Sequence, residues 1–155
     1  MSTALNWSVA APEIVLLTLA CVIALADLFV NDPARRLTFW LTQATLAAVA
    51  LLHVQALATG QSVFGLQGMF ASDPLGHLLA LFATLAVMIT VAYGRAYIAP
   101  REMLKGEFFT LALFVLLGVC VMVAANNFLV VYIGLELMSL SLYALVALRR
   151  DNGQA

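Results

Sequence analysis

Five apolar stretches of about twenty residues each recur along the chain, and they constrain its fold more than any other feature. The hydrocarbon core of a bilayer is crossed by roughly 20 apolar residues in an α-helix. Only a helix can close its backbone hydrogen bonds within a single span. The stretches therefore predict transmembrane helices at about residues 12–30, 37–58, 74–98, 108–125 and 127–148.

The composition favours lipid rather than water as the surroundings. Of the 155 residues, 65% are hydrophobic and 10% are charged, whereas a soluble domain is about 45–50% apolar and about 25% charged. The net charge of −1 gives no indication of a nucleic-acid partner. We therefore expect residues 1–155 to form a single all-α membrane domain, a polytopic protein with the lipid bilayer around it.

The basic residues predict the orientation of this domain. They occur after the first span, at or after the end of the third, and after the fifth: Arg35, Arg36, Arg95, Arg101, Lys105, Arg149 and Arg150. With five spans, all of these positions fall on one side of the membrane. Because Lys and Arg concentrate on the cytoplasmic side, we predict an outer N-terminus and a cytoplasmic C-terminus. A signal peptide is the competing interpretation of the first span, but no basic residue precedes Arg35.

One acidic residue, Glu136, lies in the middle of the fifth apolar stretch. A charged side chain at that depth costs about 2.5–3.5 kcal/mol on insertion scales, and intramembrane carboxyl groups are functional by default. A carboxyl group whose charge depends on a nearby partner takes up and releases a proton as that partner changes. Glu136 is therefore the candidate residue for proton transfer. The competing interpretation is a protonated glutamate that only hydrogen-bonds neighbouring helices.

The residues around Glu136 form a predicted polar face. Tyr132, Ser139 and Tyr143 lie four residues before it, three after it and seven after it, which places all of them on one side of a helix. Their hydroxyl groups are suited to hold water or to solvate the carboxylate. We take them as supporting residues of the candidate site.

The other polar residues have structural interpretations. Asp27 is expected to form an ion pair with Arg35 or Arg36, and the carboxylates of Glu13 and Glu107 are expected to complement the positive ends of their helices. Both histidines, His53 and His77, fall near the predicted outer face. A shared site is open to them, but separate interfacial positions are the favoured interpretation.

The sequence contains no catalytic motif typical of soluble enzymes. The glycine-containing segment at residues 60–68 lacks the Lys-Ser/Thr ending of a phosphate loop, and the spacing of His and Cys fits no metal site. Cys21 and Cys120 lie in separate apolar runs without a disulfide pattern. We therefore predict no metal and no cofactor bound by this chain.

The segment from Lys105 to Leu148, "KGEFFTLALFVLLGVCVMVAANNFLVVYIGLELMSLSLYALVAL", resembles the antiporter-like membrane subunits of bacterial complex I, the proton-pumping NADH:quinone oxidoreductase. The resemblance is greatest for the subfamily called subunit N. Residues 134–146 fit its signature G-[IL]-E-L-[IM]-S-L-x-L-[YF]-x-L-V. Over the first 100 residues, only the helix number and topology are similar.

The resemblance implies a fold, a location and a role. Such subunits are multi-pass proteins of the bacterial inner membrane, with about fourteen helices, and they associate with other membrane-arm subunits. NADH, FMN, iron–sulfur clusters and quinone are bound by other subunits. At the position of Glu136 the family has a glutamate that faces a lysine on a broken seventh helix, and its charge state couples quinone reduction to proton movement.

Two departures from the family pattern accompany this resemblance. Ser141 stands where many members have proline, and the 155 residues cover only the first five helices, so the partner lysine is missing. We therefore expect the chain to be an N-terminal portion of such a subunit, which would not pump protons alone. The alternatives are a related subunit of a cation/proton antiporter or membrane-bound hydrogenase, and a small structural or assembly membrane protein.

Overall fold

The computed structural model describes residues 6–30, 32, 35–98 and 105–148. Within them lie five α-helices: α1 (Ala11–Asp27), α2 (Arg36–Thr59), α3 (Pro74–Ile98), α4 (Gly106–Val123) and α5 (Phe128–Ala147). A 3-10 helix, Trp7–Ala10, leads into α1. All five segments are long and apolar enough to cross a membrane. The predicted class, an all-α protein with five membrane spans, is confirmed.

The end of α1 shows why the first helix is shorter than the sequence predicts. It ends at Asp27 rather than at Val30, because the amides of residues 28–30 bond to carbonyl groups three residues back, at 3.1–3.3 Å. This tighter turn leaves carbonyl groups without helical partners. The Arg35 guanidinium donates to the Val30 carbonyl beyond this turn and also to the Asp27 carbonyl, which it shares with the Val30 amide, at 3.1 Å each.

The inner face of α2 combines polar side chains with two apolar ones, and the outer face carries large apolar side chains. Its buried residues are Thr38, Thr42, Thr45, Leu46, Val49 and His53, and its exposed residues include Trp40, Leu51 and Val54. The buried Thr42 and Thr45 hydroxyl groups donate to the carbonyl groups four residues earlier, at 2.8 and 2.9 Å. An apolar exterior of this kind suits a helix surrounded by lipid.

The core forms where α1, α2, α3 and α4 meet. Its buried members are Leu16, Ala20, Ile23, Leu46, Val49, Ala80, Leu113, Leu116, Leu117 and Cys120. Helix α4 packs against each of the other four helices. It is therefore the central helix of the bundle, and α5 lies outside it.

Two glycines set the distance between α4 and α5. A Cβ atom on Gly118 would lie 2.7 Å from the Gly134 carbonyl oxygen, and one on Gly134 would lie 2.8 Å from the Gly118 carbonyl oxygen. These backbones therefore approach as closely as small residues allow, which is a common basis of helix association in membranes. The turn between the helices is short, and the Asn127 side chain accepts the Leu129 amide at 2.9 Å to begin α5.

A small β-hairpin covers one end of the bundle, which we call the hairpin end. Its strands are β1 (Val63–Gly65) and β2 (Phe70–Ser72), paired antiparallel. The hairpin is bound to the turn between α4 and α5: the Ala71 amide donates to the Ala124 carbonyl, and the Asn126 amide donates to the Met69 carbonyl, both at 2.8 Å.

The opposite end of the bundle, which we call the basic end, holds the described basic residues. Asp27 and Arg35 form the predicted ion pair, 2.8 Å between Oδ2 and Nη1, and the Thr38 hydroxyl donates to Asp27 at 2.6 Å. The Arg95 guanidinium lies over the Phe39 ring, 4.7 Å from its centre. Three of the residues behind the predicted orientation, Arg101, Arg149 and Arg150, lie outside the described residues.

Replacing Gly118 with alanine tests the close packing of α4 and α5. The added Cβ atom meets backbone atoms that cannot move independently, so we expect Gly118→Ala to destabilise the protein by about 1–3 kcal/mol. Unfolding in a series of increasingly denaturing detergent mixtures would measure this loss.

Gly94→Ala is the matched control, because the nearest atom to its added Cβ would be a Phe108 side-chain carbon at 3.4 Å. Alanine also favours a helix over glycine by about 1 kcal/mol at both positions. Equal stability of the two variants would contradict the proposed contact.

Candidate functional site

The seam between α4 and α5 determines where the rest of α5 points. The buried residues of α5 are Val130, Gly134 and Ser141, and they lie along the side that contacts α4. Ser141, at the position where the related family often has proline, donates its hydroxyl to the Leu137 carbonyl at 2.7 Å. Helix α5 is continuous through this residue.

The predicted polar face lies opposite that seam. At about 100° per residue, Tyr132, Glu136, Ser139 and Tyr143 lie roughly 140–200° around the helix axis from Gly134. The structure agrees, since the Tyr132 and Tyr143 side chains are exposed, and Glu136 and Ser139 are half-buried. The polar face therefore points away from the other described helices.

Glu136 has one polar neighbour on its own helix. The Tyr132 hydroxyl group interacts electrostatically with the Glu136 carboxyl group one turn away. Within the ranges that the structure describes, Glu136 forms no ion pair. Tyr132 is the predicted supporting residue that the structure brings into contact with the carboxylate, whereas Ser139 and Tyr143 share only its face.

A carboxylate on an outward face of a membrane helix has specific chemical requirements. Lipid cannot accept the charge, so such a residue pairs with another group or faces a bundle interior. The neighbouring Tyr132 hydroxyl group can donate a hydrogen bond but carries no positive charge. The arrangement is therefore suited to a carboxyl group whose proton is controlled by a cation on a helix packed against this face.

The two histidines occupy one site, contrary to the favoured interpretation of the sequence. Nδ1 of His53 lies 3.1 Å from Nδ1 of His77, and the His77 Nε2 atom lies 2.7 Å from the Ser72 hydroxyl oxygen. The two histidines are 24 residues apart in sequence, and separate interfacial positions were the favoured interpretation. Helices α2 and α3 pack together, and the hairpin adds Ser72 from above.

Glu13 lies in the first turn of α1, as the sequence predicts, but it is also buried there, with only 7% of it exposed. Its Oε2 atom and the Nε2 atom of His53 are buried without a hydrogen-bond partner among the described residues. Both residues line a small cavity of about 10 Å³ below the hairpin. No sequence signal indicated this burial, because the covering residues come from the hairpin and the N-terminal 3-10 helix.

A wider cleft of about 780 Å³ opens at the basic end. The Asp27–Arg35 ion pair lines it, together with Lys105 and Glu107 at the start of α4. Glu107 is exposed there, as its position in the first turn of α4 predicts. The described residues contain no group of three or more His, Cys, Asp or Glu side chains that could hold a metal ion.

The fold and the site together define a class of protein: a multi-pass α-helical membrane protein with a carboxyl group inside a transmembrane segment. Over 152 residues the chain is 55% identical to NADH-quinone oxidoreductase subunit N of Polaromonas naphthalenivorans. It is also 48% identical over 148 residues to the subunit N of Herminiimonas arsenicoxydans, and 47% identical over 151 residues to that of Thiobacillus denitrificans.

These alignments cover 93–97% of the chain and 30–31% of each relative. The chain therefore spans about a third of the length of the curated relatives that it matches. No protein-family model matches the chain. The resemblance noted in the fourth and fifth spans is confirmed and now extends over nearly all of the sequence.

Substituting Tyr132 tests the contact with Glu136. In Tyr132→Phe the Glu136 carboxyl group loses the neighbouring hydroxyl group, so we expect its carbonyl stretching band to move to higher frequency in infrared spectra. The band is assigned by its disappearance in Glu136→Gln. Tyr93→Phe, which removes the hydroxyl of an exposed tyrosine on α3, is the control. A band at the same frequency in the unchanged protein, in Tyr132→Phe and in Tyr93→Phe would contradict the contact.

Proposed function

We propose that the chain is part of a proton-translocating, non-redox membrane subunit of an NADH-quinone oxidoreductase. Glu136 takes up and releases a proton as its surroundings change, and this step is coupled to quinone reduction elsewhere in the complex. The observation that carries the proposal is the placement of Glu136 on a face of α5 that the other described helices leave open.

The chemistry of that face supports the assignment over a purely structural glutamate. A glutamate that served to bind helices together would be expected in the α4–α5 seam, where side-chain hydrogen bonds join packed helices. That seam is instead occupied by Gly118 and Gly134, which already bring the helices together. Glu136 is thus available to a partner on its other side, and a lysine on a further helix fits the role.

The similarity to subunit N supports the remaining parts of the proposal. The relatives are named as subunits of NADH-quinone oxidoreductase, so the partners proposed here are other membrane subunits of such a complex. The bacterial inner membrane is the proposed location. In this proposal those partners bind NADH, FMN, iron–sulfur clusters and quinone, and this chain contributes a proton-transfer site.

The substitution Glu136→Gln tests the proposal directly. Introduced into the chromosomal gene, it leaves the shape of the side chain but removes the exchangeable proton. We expect NADH-driven proton translocation by membrane vesicles to fall by about tenfold or more, because a positioned acid–base group typically contributes a hundredfold or more. Electron transfer from NADH to a soluble artificial acceptor should be unchanged.

Glu107→Gln is the matched control, since Glu107 is an exposed glutamate on the neighbouring helix. It should translocate protons at the original rate. Full translocation in Glu136→Gln membranes containing the assembled complex would overturn the assignment. Loss of the assembled complex itself in Glu136→Gln, but not in Glu136→Asp, would instead support a structural role and count against the proposal.

A further inference from the structure

A line of polar atoms leads from the surface at the hairpin end into the core of the bundle. It begins at the Ser72 hydroxyl group, passes through Nε2 and Nδ1 of His77, and continues through Nδ1 and Nε2 of His53. The next polar group on the cavity wall is the Glu13 carboxyl group. The three interior side chains come from different helices: Glu13 from α1, His53 from α2 and His77 from α3.

The two ends of this line differ in their access to solvent. Ser72 and His77 line an open cleft of about 220 Å³, together with Gln55 and Thr59 at the end of α2. The same two residues also line the small cavity whose wall includes Glu13 and His53. His53 is 1% exposed and Glu13 is 7% exposed. The histidine pair therefore separates an open compartment from a buried carboxyl group.

We propose that Glu13, His53, His77 and Ser72 form a proton relay, distinct from Glu136, that connects the buried Glu13 carboxyl group with the open cleft. Its substrate is a proton, delivered or accepted by water at the Ser72 end. The relay rests on the geometry of these four residues and does not require Glu136 to be a pumping residue.

The tautomers of the histidines give the relay two states. In the first, Glu13 is protonated and His53 Nε2 accepts, so His53 Nδ1–H donates to His77 Nδ1 and His77 Nε2–H donates to Ser72. In the second, Glu13 is a carboxylate and His53 carries its proton on Nε2. His77 Nδ1–H then donates to His53, and the Ser72 hydroxyl donates to His77 Nε2. Each ring is neutral in both states.

Conversion from the first state to the second moves one proton out of the protein. The Glu13 O–H bond breaks as an N–H bond forms at His53 Nε2, and the His53 Nδ1 proton passes to His77 Nδ1. The His77 Nε2 proton then leaves to water in the cleft, so the balance is one proton lost from Glu13. The cavity, at about 10 Å³, is close to the volume needed for one water molecule, which would bridge Glu13 and His53.

Two other titratable groups face this cavity. The Asp73 carboxylate accepts the Gly76 amide at 3.1 Å and so serves the start of α3, and the Cys120 thiol comes from α4. Neither side chain connects two of the four relay residues. A metal ion is disfavoured because the two Nδ1 atoms, 3.1 Å apart, use their hydrogen-bonding capacity on each other.

Exchange of the Glu13 proton for deuterium tests the relay. Membranes containing the protein in its native assembly are transferred from H₂O to D₂O, and the infrared carbonyl band lost in Glu13→Gln is followed in time. We expect His53→Gln and His77→Gln to slow its exchange by about a hundredfold, the lower end of what positioned acid–base groups contribute. Glutamine keeps a donor and an acceptor but cannot pass a proton between two ring nitrogens.

The controls separate the relay from a general loss of structure. Glu107→Gln should leave both the band and its exchange rate unchanged, because that exposed glutamate lies at the other end of the bundle. Ser72→Ala removes only the outermost hydroxyl group, so it should slow exchange even if a histidine variant fails to assemble.

Two results would overturn the proposal. One is exchange at the original rate in Ser72→Ala and in whichever histidine variant assembles, which would mean that protons reach Glu13 by another route. The other is the absence of any carboxyl band assigned to Glu13 over the accessible pH range, which would mean that the residue does not carry a proton. Both readouts concern Glu13 alone, so the pumping role proposed for Glu136 can fail while the relay stands.

Discussion

The low polarity of the membrane is the constraint on which the rest of this structure depends. A helix in lipid finds no partner for its polar groups outside the protein. Thr42 and Thr45 of α2 therefore donate to the backbone of their own helix, and Asp27 is held by Arg35 and Thr38 at the basic end. Against this background two carboxyl groups stand out, because Glu13 and Glu136 lack a charged partner among the described residues.

The contact between Gly118 and Gly134 determines which side of α5 faces away from α4. Because the two backbones meet there, the side of α5 with Gly134 is held against α4, and the polar face that carries Glu136 is turned to the opposite side by the geometry of a helix. Any larger residue in the seam would move α5 outward and change where Glu136 points. The packing of two small residues thus determines the surroundings of the carboxyl group proposed to carry protons.

The sequence predicted the features that depend on one segment at a time. Five apolar stretches are sufficient to predict five helices, and the cost of a charge in the membrane is sufficient to single out Glu136. The contact between His53 and His77 could not be predicted, because it depends on how α2 and α3 pack. The burial of Glu13 depends on a hairpin whose strands of three residues each are held by backbone bonds to the turn after α4.

Helix α4 separates the two carboxyl groups and makes them independent within the described residues. Cys120 lines the cavity of Glu13, whereas Gly118, two positions earlier and so about 200° around the helix, meets α5. Between the two sites the buried residues of α4 are apolar, with Leu113, Leu116 and Leu117 in the core. A proton that reaches Glu13 through the histidines therefore has no polar path across α4 to Glu136 in the described part of the chain. A link between the two sites would have to run through other helices, and the hairpin end and the outer face of α5 are the two surfaces where such helices would act.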